Sequence, residues 1–108
     1  MAESSGRINV QQKTTATRIL FNDSSILGEA NIKELEVQVL RAVSEAGARD
    51  VHLDFTRIRF MASSFIRLLV RVRKEVQAQK GTLTICNVDP KIFEVFKITQ
   101  LHKVFQFA

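Results

Sequence analysis

The strongest constraint in this chain is a change of hydrophobic period within about a dozen residues. Val51, Leu53 and Phe55 alternate with His52 and Asp54, the pattern of a strand with one apolar face. Just beyond, Ile66, Leu69, Val72 and Val76 recur at helical spacing, with Phe65 on the shoulder of the stripe. Arg67, Arg71 and Lys74 fall on the opposite face. Switching from period two to period 3.6 across so short a loop commits the chain to laying a helix back over a sheet.

The same alternation recurs on both sides. Ile8 to Gln12 and Thr17 to Phe21 read as an antiparallel pair of strands, with Asn22-Asp23-Ser24-Ser25 as a turn and Gly28 as a second break. A helix is expected next, with Asn31 as N-cap and Glu34 as its capping-box partner. Ile32, Leu35, Val39, Leu40 and Val43 form its buried stripe, and Gly47 ends it. After Gly81 comes a strand from Thr82 to Asn87. Asp89-Pro90 then opens a helix running to about Thr99, and Val104 to Phe107 forms a last strand. The order is ββαβαβαβ: a single α/β domain over 8–108 with a mixed, mostly parallel sheet of about five strands and three to four helices. Residues 1–7 are expected to form a disordered tail.

Composition narrows the function class. At 108 residues there is room for one domain, and 45% apolar residues suffice for a core. The net charge of +5 leaves acidic proteins, nucleic acid and anionic membranes open as partners. No recognition-helix pattern or interleaved aromatics accompany the arginines, so nucleic acid is not expected. Cys86 is the only cysteine, which rules out an intrachain disulfide and a cysteine-built metal site. His52 and His102 lie fifty residues apart without spaced carboxylates, so no metal and no cofactor is expected. Neither a signal peptide nor an apolar run of membrane-spanning length is visible, so membrane insertion is not expected and the cytoplasm is the expected compartment. There is no Gly-rich phosphate loop or nucleophile elbow, which fits a binding protein better than an enzyme. His52 and Asp54 have no nucleophile beside them and read as structural, and Cys86 as a small buried residue.

The run Val51-His-Leu-Asp-Phe-Thr-Arg-Ile-Arg-Phe-Met-Ala-Ser-Ser-Phe-Ile-Arg-Leu-Leu resembles the signature of STAS domains, the family of bacterial anti-sigma factor antagonists. There an apolar strand leads to Phe-Met-Asp-Ser-Ser-Gly-Leu at a helix start. Gly81-Thr-Leu-Thr-Ile-Cys-Asn-Val-Asp-Pro and the segment from Ile92 to Phe105 resemble the family's later strand, closing helix and tail. The resemblance implies a partner-switching protein. It would bind a serine kinase that doubles as an anti-sigma factor, and phosphorylation would switch it off until a phosphatase reset it. It places the phosphoacceptor on Ser63, less well on Ser64. The family's acid falls on Ala62, its glycine on Phe65, and a glycine near the chain end on Gln100.

The residues themselves support such a site. A hydroxyl at a helix N-terminus faces unpaired backbone N–H groups and the positive end of the helix dipole. Arg67, four residues after Ser63, could pair with a phosphate there. Arg57, Arg59, Arg67 and Arg71 would offer an acidic partner a cationic face, with Ala62, Ser64, Phe65 and the loop residues Asp23 and Ser24 adjoining it. Plain N-capping by Ser63 and Ser64, and solvated charge for the arginines, Arg73 above all, remain the alternative readings. At the level of the whole protein, the alternative is a non-switching STAS adaptor, such as a subunit of a lipid-transport ATPase complex or a sensor scaffold. The protein is expected to be a monomer or weak dimer.

Overall fold

A computed structural model describes residues 7–47 and 49–108 in full and 2–5 by their backbone; Met1, Gly6 and Ala48 lie outside the described residues. The strands are β1 (Ala2–Ser5), β2 (Ile8–Gln12), β3 (Ala16–Phe21), β4 (Ser25–Ile26), β5 (Asp50–Asp54), β6 (Phe60–Met61), β7 (Leu83–Cys86) and β8 (Gln106–Phe107). The helices are α1 (Glu29–Ala46), α2 (Ser63–Ala78) and α3 (Pro90–Ile98), followed by a 3-10 turn at Leu101–Lys103. The main sheet runs β1-β2-β3-β5-β7-β8. Its first two pairings are antiparallel and the remaining three parallel, each parallel step being bridged by one helix. This is the expected mixed, mostly parallel α/β fold.

The alternation read from the sequence decides which face carries the core. Ile8 and Val10, Ile19 and Phe21, Val51 and Leu53, Leu83 and Ile85 are all buried on one side. Asn9, Gln11, Arg18, Leu20, His52, Thr84 and Cys86 on the other side are half-buried. Ile32, Leu35, Val39 and Val43 of α1, Leu69, Val72 and Val76 of α2, and Ile92 and Phe96 of α3 join the strand residues in a single core cluster. Seven of the eight phenylalanines form a chain of ring contacts through it. Phe21 meets Phe55 and Phe65 edge-on at 5.6 and 5.5 Å, and Phe55, Phe96 and Phe107 carry the contacts across to α3.

The structure corrects several expectations. Asn31 is not the cap of α1: the helix starts at Glu29, and Gly28 at φ +85° takes the N-cap position. A backbone turn that needs positive φ outcompetes a side-chain cap here. Asn31 instead accepts from Arg7 Nη2 at 2.6 Å. On α2, Phe65 and Leu68 are buried, whereas Ile66 is only half-buried, so the apolar stripe is rotated toward Phe65. Ala2–Ser5, expected to be unordered, pairs along the outer edge of β2, satisfying backbone groups that would otherwise be left open. The short ladder between β4 and β6 had no signal in the sequence, because two-residue strands show no period. Gly81 has a reason beyond ending a helix: a Cβ there would lie 2.3 Å from the carbonyl oxygen of Arg49.

At the C-terminal ends of the central strands the polar face carries one buried ionic cluster. Asp54, 5% exposed, accepts from the Thr56 amide at 2.9 Å, the Thr56 hydroxyl, Arg18 Nε at 2.9 Å and Asn87 Nδ2 at 3.2 Å. Burial alone would push this carboxyl up. The bonds from Thr56, Arg18 and Asn87 outweigh it and hold the pKa at about 2. The cluster ties β3, β5, the loop after β5 and the residue after β7 into one unit.

Two predictions follow from these features. The folded pKa of Asp54 lies below the unfolded value of about 3.9, so its contribution of roughly 2 kcal/mol is present above pH 4 and lost as pH falls toward 2. In urea titrations, the stability gap between wild type and Asp54→Asn is expected to be full at pH 6 and to shrink on acidification to pH 2.5; a constant gap would contradict this role. Second, Gln100 has φ +66°, the left-handed region that costs a side chain energy. Gln100→Gly should therefore raise stability by about 0.5–1 kcal/mol, read as a higher melting temperature.

Candidate functional site: the start of the second helix

The loop after β5 carries the chain from Asp54 to Ser63 over the C-terminal edge of the sheet. This is where open α/β sheets generally place their sites. The loop is pinned along its length. Phe55 N donates to Cys86 O at 2.9 Å, Ile58 N to Phe55 O at 2.9 Å, and Ala62 N to Ile26 O at 2.9 Å. Arg59 N and Phe60 N both donate to Ser24 O, at 2.7 and 3.1 Å. Ile58 and Phe55 are fully buried beneath it. Ser24 thus takes part through its backbone, while its side chain is exposed.

Ser63 is the first residue of α2 and is exposed. The N-cap position belongs to Ala62, in extended conformation at φ −81° and ψ 159°, and no side chain caps the helix. The capping role considered for the two serines is therefore not realised. With an alanine at the cap no side chain occupies the first-turn N–H groups; Phe65 N donates to Ala62 O at 3.0 Å, which leaves those of Ser63 and Ser64 to meet an incoming anion. Ser64 is half-buried and lines a groove of about 340 Å³ between α1 and α2, together with Arg67, Leu68, Arg71 and Ile32.

Phe65, expected beside the serines as a contact residue, is 0% exposed. Helical geometry turns it inward between Phe21 and Phe55, with ring centroids 5.5 and 6.0 Å away. It supports the surface from below, and its ring is not part of that surface. Burying a ring of this size stabilises the helix start by about 2 kcal/mol.

The arginines divide by what they touch. Arg57 and Arg67 are exposed. Arg59 donates to Thr56 O at 2.8 Å and stands 3.8 Å from Asp89, the residue that caps α3 by accepting from Lys91 N. Arg71 reaches Glu36 on α1 at 3.3 Å. Arg73 is half-buried and lies in another groove beside Val104 and Gln106. Asp23 is held by Arg7 at 2.6 Å, and Arg7 also contacts Glu34 and Asn31. That cluster moors the loop before α1 to the helix it precedes. Sequence reasoning had no means of finding Arg7, whose partners lie 16 to 31 residues away.

The remaining polar candidates are not gathered into reactive chemistry. His52 is half-buried on the open face of the sheet. Burial pushes the Cys86 thiol up, the direction opposite to that of a reactive thiolate. Among the described residues no group of three or more His, Cys, Asp or Glu could hold a metal ion, and no helix is long and apolar enough to cross a membrane.

Comparison with known proteins gives this geometry a context. Residues 7–108 match the family model described as STAS domain. BtrV of Bordetella bronchiseptica, named as an anti-sigma factor antagonist, is 31% identical over 83 residues, which span 77% of this chain and 71% of BtrV. The solved structure of an anti-sigma-factor antagonist (STAS) domain protein from Planctomyces limnophilus superposes with a TM-score of 0.83 at 30% identity, covering 93% of this chain and 87% of that one. SpoIIAA of Bacillus shares the fold at lower identity. Its unphosphorylated form has a TM-score of 0.75 at 20% identity over 94% of this chain and 87% of its own. Its phosphorylated form has 0.67 at 19% over 94% and 90%. With the family model spanning nearly its whole length and relatives at this identity, the chain belongs to the STAS domain family and is similar to anti-sigma factor antagonists.

Proposed function

We propose that this protein is a non-enzymatic, phosphorylation-switched binding module. Unphosphorylated, it holds a serine kinase that also acts as an anti-sigma factor; phosphorylated on Ser63, it lets go, and a phosphatase resets it. The observation that carries the reading is the exposed Ser63 hydroxyl at the uncapped start of α2. A kinase can reach this hydroxyl without unfolding anything. The fold also tolerates the product, because a dianion there meets the N–H groups of Ser63 and Ser64 and the helix dipole, a contribution of about 0.3–1 kcal/mol.

Release follows from charge. Phosphorylation adds about −1.5 to −2 units at neutral pH. With Arg57, Arg59, Arg67 and Arg71 exposed on the loop and helix that flank Ser63 in the chain, it cancels much of the cationic field that would hold an acidic partner. Arg67, one turn along α2, is placed to draw the phosphate inward. That SpoIIAA has been solved in a phosphorylated form supports the same chemistry on this fold. Such a role would be carried out in the cytoplasm, by a monomer or weak dimer.

One observation favours the second reading, a constitutive STAS adaptor of a transport ATPase or sensor scaffold. Ala62 stands where related sequences carry an acid, so any kinase contact made through that acid is missing. In this case the arginine face docks whatever the state of Ser63.

Phosphate transfer decides between the two. With a serine kinase of the anti-sigma type encoded beside this chain and labelled ATP, wild type is expected to be labelled on Ser63 and Ser63→Ala not at all. Ser63→Asp should bind the kinase at least tenfold more weakly. Equal binding by Ser63→Asp, or labelling that persists in Ser63→Ala, would replace the switch with the adaptor.

A further inference from the structure

Seven phenylalanines build the aromatic core, and the eighth, Phe60, is 63% exposed on β6. Its neighbour on the ladder sharpens the point. Ser25 of β4 pairs with Phe60 and Ile26 with Met61. Ile26, 1% exposed, and the half-buried Met61 turn toward the core. By strand alternation Ser25 and Phe60 therefore share the outer side, whereas Ala62, half-buried just past β6, packs against the core as Met61 does. Leu27, directly after β4, is 50% exposed, and none of Ser25, Leu27 and Phe60 carries a charge.

This ridge is fixed before anything binds it. The hydrogen bonds from Arg59 N, Phe60 N and Ala62 N to the backbone of Ser24 and Ile26 hold the ladder, and Ala62 is directly followed by Ser63. An apolar pair presented on rigid backbone loses little entropy on docking. An exposed aromatic ring bordered by polar residues is the usual make-up of an interface hot spot.

We propose that Leu27 and Phe60 form the apolar anchor by which a protein partner, offering an apolar pocket rimmed by carboxylates, grips this chain beside Ser63. The proposal rests on the reading of Ser63 as the switch and assigns affinity to different side chains from those that regulate it. Charge complementarity specifies the rim: Arg57 and Arg59, which lead into β6, and Arg67, in the first turns of α2, are exposed. Arg59 and Arg71 already face carboxylates within this chain, at Asp89 and Glu36. Planar guanidinium forks suit carboxylates of a folded partner. An anionic lipid surface shares part of this chemistry, and the experiment separates the two.

Affinity for a serine kinase of the anti-sigma type is to be measured by calorimetry for wild type, Phe60→Ala, Leu27→Ser and Arg59→Gln. Phe60→Ala is expected to bind roughly thirtyfold more weakly and Leu27→Ser roughly fivefold more weakly. Their melting temperatures should stay within a degree or so of wild type, since both side chains face water. Arg59→Gln should reduce the salt dependence of binding. With Ser63 unphosphorylated in both proteins, Phe60→Ala binding within twofold of wild type would overturn the anchor. Weakened binding by Phe60→Ala alongside unimpaired binding by Ser63→Asp would keep the anchor and remove the switch. Absence of any kinase binding by wild type would remove both. Phe60-dependent binding to vesicles containing phosphatidylserine, with kinase affinity unchanged in Phe60→Ala, would overturn the protein occupant in favour of a membrane.

Discussion

The burial of Phe65 between Phe21 and Phe55 sets the geometry on which the site depends. These three rings come from α2, β3 and the end of β5, the elements that converge beneath the exposed loop. Because interiors are close-packed, the first turn of α2 cannot shift without opening a void among them. Ser63 is two residues from Phe65 and so inherits that fixed position while its own side chain stays in water. A helix start that is rigid below and open above is what a modifiable docking point requires.

Electrostatics then divides the molecule into two kinds of charge. Asp54 is buried, its ion pair with the half-buried Arg18 is one of several bonds it accepts, and it serves the fold by joining strand ends to the loop. The arginines around Ser63 are exposed, so their pairs with Asp89 and Glu36 are weak and can be exchanged for others. The first kind is costly to break and the second cheap to rearrange. A phosphate on Ser63 would act only on the second.

The strands and helices were legible because each carries its own period. Val51, Leu53 and Phe55 announce β5, and Asp89-Pro90 announces α3 down to the capping bond on Lys91 N. The start of α1 was misread because the capping-box pattern at Asn31 and Glu34 is a local preference. The positive φ of Gly28 begins the helix three residues earlier. Phe65 has two readings from sequence, partly core or a contact residue, and its burial keeps only the first. Helical spacing puts it on the shoulder of the stripe, and only the packed neighbours Phe21 and Phe55 show which way that shoulder faces.

The sequence by itself determined the α/β class, the single core and the serine pair at the start of a helix, since these rest on residue type and short spacing. The tertiary structure decided what surrounds that serine. The mooring of Asp23 by Arg7, the donors gathered on Asp54, and the ladder that leaves Leu27 and Phe60 facing water all join segments distant in the chain. Periodicity cannot encode such contacts, because each depends on the folded sheet to bring its partners within reach.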